Sequence, residues 1–397
     1  MSRLLIFFFF AVYFLSVQAN DTLSDAFKNG KVIGELTLFS YNIDRKNQEN
    51  AYATALGGFL KYTTDNSQPI FASARFHQSS PVGPDQNRGQ TQLFNNDNGA
   101  SSLTALSESY LAYHHKNRII RAGNMMLDTP MMNDDRTRIV PWSYRGLAFT
   151  SESLADTKIQ INYITKIRSH TSDQYKKESA SGTFDKGITM LGLTYEAIEN
   201  VSFQSYYYHA PELYSTFIGE IDYKYVMHED YLICIGLQYF KSGNGGKYND
   251  RTSRNGGDDI NLLALKAGVD ANKAEVNLYY SQNFGLSGII KGYGGLSIVS
   301  TTSMVANGRG NFKPETWMLK SRYDFDPFEY GQSEFAIWLT KTRVHDPRGD
   351  DFNAYYSHIR HYFNSDTSVY LRFEAIDYLN GHKNDVNYLR LIASYDF

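Results

Sequence analysis

The chain has 397 residues, with 39 Lys+Arg against 42 Asp+Glu and a formal net charge of −3. So even a balance gives no overall field to gather nucleic acid or an anionic surface, and no nucleic-acid partner is expected. A single cysteine, Cys234, excludes an internal disulfide framework and a cysteine-rich zinc cluster, and 42% apolar residues argue against wholesale disorder.

The first element in chain order is an export signal. Arg3 supplies a positive start, residues 4–15 form an apolar run containing Phe7 to Phe10, and Val17-Gln18-Ala19 end it with small residues. This predicts a signal peptide over 1–19, cut after Ala19, and one domain over 20–397. An uncleaved anchor is the alternative, but the run is short for a spanning helix. No later stretch approaches the roughly 18 apolar residues such a helix needs. The exported chain could be periplasmic, secreted or an outer-membrane barrel.

From residue 31 onward the hydrophobic period is two. Ile159, Ile161 and Tyr163 alternate with Lys158, Gln160 and Asn162. A strand separates these two sets, whereas a helix mixes them on every face. Segments of this kind are predicted at 31–44, 53–64, 69–79, 103–115, 116–126, 143–152, 156–169, 187–198 and 200–209. They continue at 214–227, 230–242, 260–270, 273–283, 314–325, 332–343, 351–363, 366–378 and 384–397. The face of 332–343 is ambiguous, because Lys341 and Arg343 share parity with Phe335 and Ile337. About 18 strands, each long enough to cross a tilted bilayer, predict an all-β transmembrane antiparallel barrel.

The connections alternate in length. Ser80–Ser102, Leu127–Pro141, Ser169–Lys186, Ser242–Asp259 and Phe284–Lys313 are long; Lys116-Asn117, Glu199-Asn200 and Asn272-Lys273 are short. Long loops on one side and tight turns on the other are the outer-membrane pattern. A soluble sandwich would also alternate, with its apolar face inward. The final strand discriminates: Leu389, Leu391, Ala393, Tyr395 and Phe397 alternate to a terminal aromatic residue. Such a strand resembles the signal read by the barrel-assembly machinery, an expected partner beside outer-membrane lipid. The tyrosine enrichment suits interfacial girdles.

In a barrel the polar set of each strand faces the lumen. That predicts a basic path of Arg75, Lys158, Lys166, Lys266, Lys320, Arg322, Arg372 and Arg390, with Arg168 a weaker member near a rim. Glu108, Glu220 and Asp222 form an acidic side, joined by Glu275, Asp324 and Glu374. The bland alternative is that these charges are paired wall residues without a role in selectivity. The loop Leu127–Pro141 concentrates Asp128, Asp134, Asp135, Arg136 and Arg138, a charge density suited to a constriction, or to solvated loop charges. Residues 284–313 carry many glycines and more apolar residues than a solvated loop usually has. They are expected to dock in the barrel or on its rim, to meet a partner, or to be disordered.

Residues 106–146 resemble the OprD family of outer-membrane porins, substrate-specific carboxylate channels of Gram-negative bacteria. Glu108, Tyr110, Leu111 and Tyr113 match its E-x-Y-L-x-Y strand, and Gly123 the glycine of the next. Asp128-Thr129-Pro130 match the D-T-P opening the third extracellular loop. Arg138 with Pro141, then Tyr144 with Gly146, match the pattern leaving it. Gly57 and Gly58 resemble its paired glycines, and residues 365–397 its closing hairpin. The resemblance implies 18 strands, loop three folded into the lumen, and passive diffusion of small solutes, often carboxylates, along a ladder of basic side chains. It implies no catalysis and no cofactor, in a monomer or loose trimer. Asn124-Met125 depart from the family's Arg-Gln after the glycine, which removes one expected cation.

Other classes are weaker. His114 and His115 are adjacent, and His358 and His361 three apart, so on strands each pair faces opposite ways and makes a poor metal site. An outer-membrane barrel hydrolase would need a Ser–His pair with an orienting Asn, and no such constellation is evident. A structural or adhesive barrel without an open pore would share the pattern.

Overall fold

The computed structural model describes residues 22–397 except 136, 178–185, 212–213, 229–230, 245–258, 286–292, 295–313, 327–330, 346–348 and 382. The predicted signal peptide, Arg136, and most of the loops 242–259 and 284–313 therefore lie outside the described residues. A short helix α1 (Thr22–Lys28) precedes the sheet. The strands are β1 (Lys31–Arg45), β2 (Ala51–Thr63), β3 (Ile70–Gln86), β4 (Leu103–His115), β5 (Arg118–Met125) and β6 (Ser143–Leu154). Then come β7 (Thr157–Arg168), β8 (Ile188–Tyr195), β9 (Val201–Ala210), β10 (Tyr214–His228), β11 (Tyr231–Asn244) and β12 (Asp259–Ala271). The last six are β13 (Ala274–Asn283), β14 (Pro314–Phe325), β15 (Gln332–Val344), β16 (Phe352–Tyr362), β17 (Thr367–Tyr378) and β18 (Val386–Asp396).

Each strand pairs antiparallel with its sequence neighbours, and β1 pairs β18 from Glu35↔Asp396 to Arg45↔Val386, which closes one 18-stranded barrel. Closure leaves no open sheet edge for the bilayer to meet. The outer face carries exposed apolar side chains such as Leu36, Leu111, Ile161, Ile235, Leu278 and Leu391. The register places the alternate residues on the inner face. Phe397 extends the seam by exchanging backbone hydrogen bonds with Gly34, whose missing side chain leaves room for the Phe397 ring.

The tight turns use residues that tolerate left-handed backbone. Asp156, Asn200 and Asn272 have φ of 52°, 63° and 49°, and Lys116 has 51°. On the opposite side β3 runs to Gln86, well beyond the predicted end near 79. Its last residues, Ser80 to Gln86, include Pro81, Gly83 and Pro84, turn-type residues that hide an extended segment from the alternation rule. The face of β15 is now settled. Lys341 lies across from Trp317 on the outer face, beyond the apolar belt.

Two loops fold back onto the inner wall. β2 presents Ala51, Ala53, Ala55 and Gly57 inward, a row of small residues that leaves a bay beside β1. Leu93 and Phe94, from the connection after β3, and Ile139 fill it together with Phe39 and Tyr41. Burying each large side chain there contributes about 1.5–3 kcal/mol. The segment between β5 and β6 packs its Met131 and Met132 against inner-face Tyr206, Tyr208, Tyr214, Phe240 and Leu262.

The connection after β3 is clasped to the one after β7. Asn96 N–H donates to the Thr171 carbonyl at 3.0 Å, and the Asp97 carboxylate accepts from Ser172 and, at 2.9 Å, from Lys176. The Ser172 hydroxyl, then Lys176, hold the Asp97 carboxyl below the usual carboxylate range. A depressed folded-state pKa stabilises the clasp above the ordinary carboxylate pKa, and that contribution is lost as pH falls through the depressed value. Hydrogen exchange should therefore show Asn96 N–H losing protection below about pH 4, and Asp97→Asn should lack this pH step. An identical profile in both proteins would exclude Asp97 as its source.

Candidate functional site

The site is built from inner-face residues at the seam side of the barrel. Arg75 on β3, Arg360 on β16, Arg372 on β17 and Arg390 on β18 converge there with Arg138 from the β5–β6 segment. They line a cavity of about 560 Å³, together with Glu35, Asp134 and Asp396. Arg372 and Arg390 stand directly opposite each other on adjacent strands. Like charges so placed repel, and the wall answers by giving each its own support. Arg372 donates to Glu374 at 2.7 Å and lies 5.0 Å from the Tyr356 ring. Arg390 donates to the Tyr41 hydroxyl at 2.8 Å with its guanidinium 4.4 Å from that ring.

Aromatic bedding recurs along this wall. Arg138 is 5.2 Å from the Tyr41 ring, Arg360 is 4.8 Å from Tyr362, and Arg75 is 4.5 Å from Phe59. A ring face holds a planar guanidinium without cancelling its charge. Among the described residues, no carboxylate lies within ion-pair distance of Arg138, Arg360 or Arg390. Arg75 differs: Glu108 bridges it at 2.8 Å and Lys61 at 3.1 Å. Glu108, expected on an acidic side, thus sits within the basic wall and neutralises part of it.

Of the remaining predicted cations, Lys266, Lys320 and Arg322 form a second cluster on β10–β14. Lys266 pairs with Asp222, Gln238 donates to Glu220 at 3.2 Å, and the Lys320 ammonium sits 4.8 Å from Tyr279 and 4.7 Å from Trp338. Glu220, Asp222, Gln238, Lys266, Tyr279 and Lys320 line a smaller cavity of about 130 Å³. Arg322 lies 3.7–3.9 Å from Glu275, Asp324 and Glu334. The expected single path is therefore two clusters. Lys158 keeps inner parity but lines neither cavity.

Two expectations fail for one reason. A bulge opposite Arg145/Gly146 inserts Thr165 into β7, so Ile167 rather than Lys166 lies across from the inward Tyr144. Lys166 therefore leaves the inner face. Arg168 does too; it is fully buried and donates to Ser143, Pro141, Ser169 and Ser172. It secures the wall where the β5–β6 segment departs. Asn124, at the sequence departure, bonds Ser109 and Arg145, while Met125 is buried in the cluster with Tyr144.

The β5–β6 segment is pinned at several points. Met131 N–H donates to the Tyr208 hydroxyl at 3.2 Å, and the Tyr144 hydroxyl donates to the Asn133 and Tyr293 carbonyls. Tyr293 and Gly294, the described part of the loop 284–313 beyond Gly285, bridge Met132. Asp135 is buried, accepting from Thr137 at 2.6 Å, and Asp134 lines the larger cavity. Asp128 bridges Asn133 within the segment. Sequence reading missed Arg360 and Lys61. Each alternates with outward apolar neighbours, Arg360 with Tyr355 and Ile359 and Lys61 with Leu56 and Leu60, so the same parity rule would have found both.

Solved structures share this architecture. Pseudomonas aeruginosa OccK9 (OpdG) aligns at a TM-score of 0.80 and 15% identity, covering 94% of this chain and 99% of its own. Acinetobacter baumannii OccAB2 aligns at 0.79 and 17% identity, with the same coverage. Pseudomonas aeruginosa OpdK, solved with vanillate, aligns at 0.76 and 15% identity over 92% of this chain and 98% of that one. No curated protein matches the sequence. A model of the OprD family, described as outer membrane porin, matches residues 83–352. That stretch is well over half of the sequence, and the chain belongs to the OprD family of outer membrane porins.

Proposed function

We propose that this porin passes small water-soluble solutes carrying a carboxylate or other anionic group, by passive diffusion along the wall of Arg75, Arg138, Arg360, Arg372 and Arg390. The observation that carries this reading is the set of three guanidiniums, Arg138, Arg360 and Arg390, bedded on aromatic rings around the larger cavity. Cations held on rings rather than in ion pairs, between low-dielectric walls, attract anions and repel cations. The β5–β6 segment acts as loop three, narrowing the lumen with Asp134 facing the basic wall. Lys266, Lys320 and Arg322 are bound up with acids or rings and act as wall structure. Passage involves no chemistry. Residues 1–19 serve export, and the closing strand with Phe397 is what the assembly machinery engages.

Purified protein in planar bilayers under a salt gradient should give small stepwise conductances whose reversal potential reports anion preference. Liposome swelling should be faster with a carboxylate than with its neutral amide, and vanillate, seen with the related OpdK, is a suitable first solute. A reversal potential on the cation side would overturn the basic-path reading. A folded barrel without conductance would point to a structural role.

A further inference from the structure

We infer that the outer wall of β4–β7 holds a phospholipid of net negative charge, its acyl chain in a groove and its phosphate at Arg118. The groove is a concavity of about 610 Å³ lined by Ile120, Phe149 and Ile159 together with Ser151, Ser153 and Arg118. It exists because two serines stand where the neighbouring outer-face positions carry large apolar residues. Their hydroxyls do not face bare lipid: Ser151 donates to Ser153 at 3.2 Å, and Arg118 Nε donates to Ser153 at 2.9 Å. That bond fixes the guanidinium by its Nε edge. Among the described residues no carboxylate lies within ion-pair distance of Arg118. His115 lies directly across on the same outer face, and Lys116 occupies the adjoining turn. Glu152, between the two serines, takes the opposite parity.

The location selects the occupant. This is the lipid-facing wall of an outer membrane porin, at the end bearing the tight turns, which is the periplasmic end. An anion reaching it arrives on a membrane lipid, and the apolar groove takes the attached chain. The fixed guanidinium of Arg118 favours a net negative headgroup over a zwitterionic one.

The test is native mass spectrometry of the full barrel from nanodiscs of equimolar phosphatidylglycerol and phosphatidylethanolamine. Wild type should retain phosphatidylglycerol about fivefold over phosphatidylethanolamine, the effect of about one surface cation. Arg118→Gln should abolish that preference while retaining lipid. Ser151→Phe should fill the groove and reduce retention of both lipids, with conductance unchanged. Equal retention in all three proteins would show an unspecific lipid shell and overturn the inference, as would a wild-type preference for phosphatidylethanolamine. The outcome is independent of solute selectivity, so it stands or falls apart from the pore reading.

Discussion

Replacing both Arg360 and Arg390 with glutamate should turn an anion-preferring channel into a cation-preferring one. At an effective dielectric of about 20, a unit charge about 5 Å from a passing ion contributes about 3 kcal/mol. Two reversed charges at the larger cavity therefore exceed any preference the remaining wall can supply. The reversal potential should change sign at about 0.1 M salt and shrink toward zero near 1 M, where the screening length falls to about 3 Å. Arg360→Ala alone should weaken the anion preference without inverting it. Correct closure of each variant is checked by its heat-modifiable migration on gels. A folded double variant with the wild-type reversal potential would refute the assignment of this wall as the solute path.

Gly58→Val should prevent assembly. Gly58 has a φ of 139°, a conformation that favours glycine, and a Cβ there would penetrate the Glu35 carbonyl on the neighbouring strand. Both obstacles are backbone, so neither can rotate away. The combined cost should exceed about 4 kcal/mol, in the range reserved for the most damaging single substitutions. The measurable consequence is loss of the heat-modifiable barrel from outer membranes, with degraded chain in its place. Gly89→Ala is the control. Its φ is not positive and its nearest neighbours lie at 3.4 Å or beyond, so normal assembly is expected. Assembly of Gly58→Val at wild-type levels would show that β1 and β2 can separate without penalty.

Period two carried all eighteen strands because a barrel wall has two dissimilar solvents, lipid outside and water inside, and the side-chain period exposes that difference residue by residue. Where proline and glycine interrupt the alternation the signal vanishes, as at Ser80 to Gln86. Parity also fails across a bulge. Nothing in the residues around Thr165 announces the insertion that turns Lys166 outward, and one inserted residue exchanges the faces of all that follow. The basic wall was half legible for a different reason. Parity found Arg75, Arg372 and Arg390, but could not say that Glu108 belongs beside Arg75 or that Lys320 is held between two rings. Those facts depend on strand register and on which loops return to the lumen. The contact of Tyr293 with Met132 joins segments some 160 residues apart, and no local pattern encodes it.

The seam between β1 and β18 has a consequence for how the barrel comes into being. Seventeen pairings join consecutive strands and can form as local hairpins, at low contact order. The eighteenth joins strands separated by nearly the whole chain. Until β18 arrives, β1 and its row of unpaired amides and carbonyls is an open template for another chain. The polypeptide must therefore be shielded from its own copies during transit, and the final pairing sets the moment at which it becomes safe to release into the bilayer.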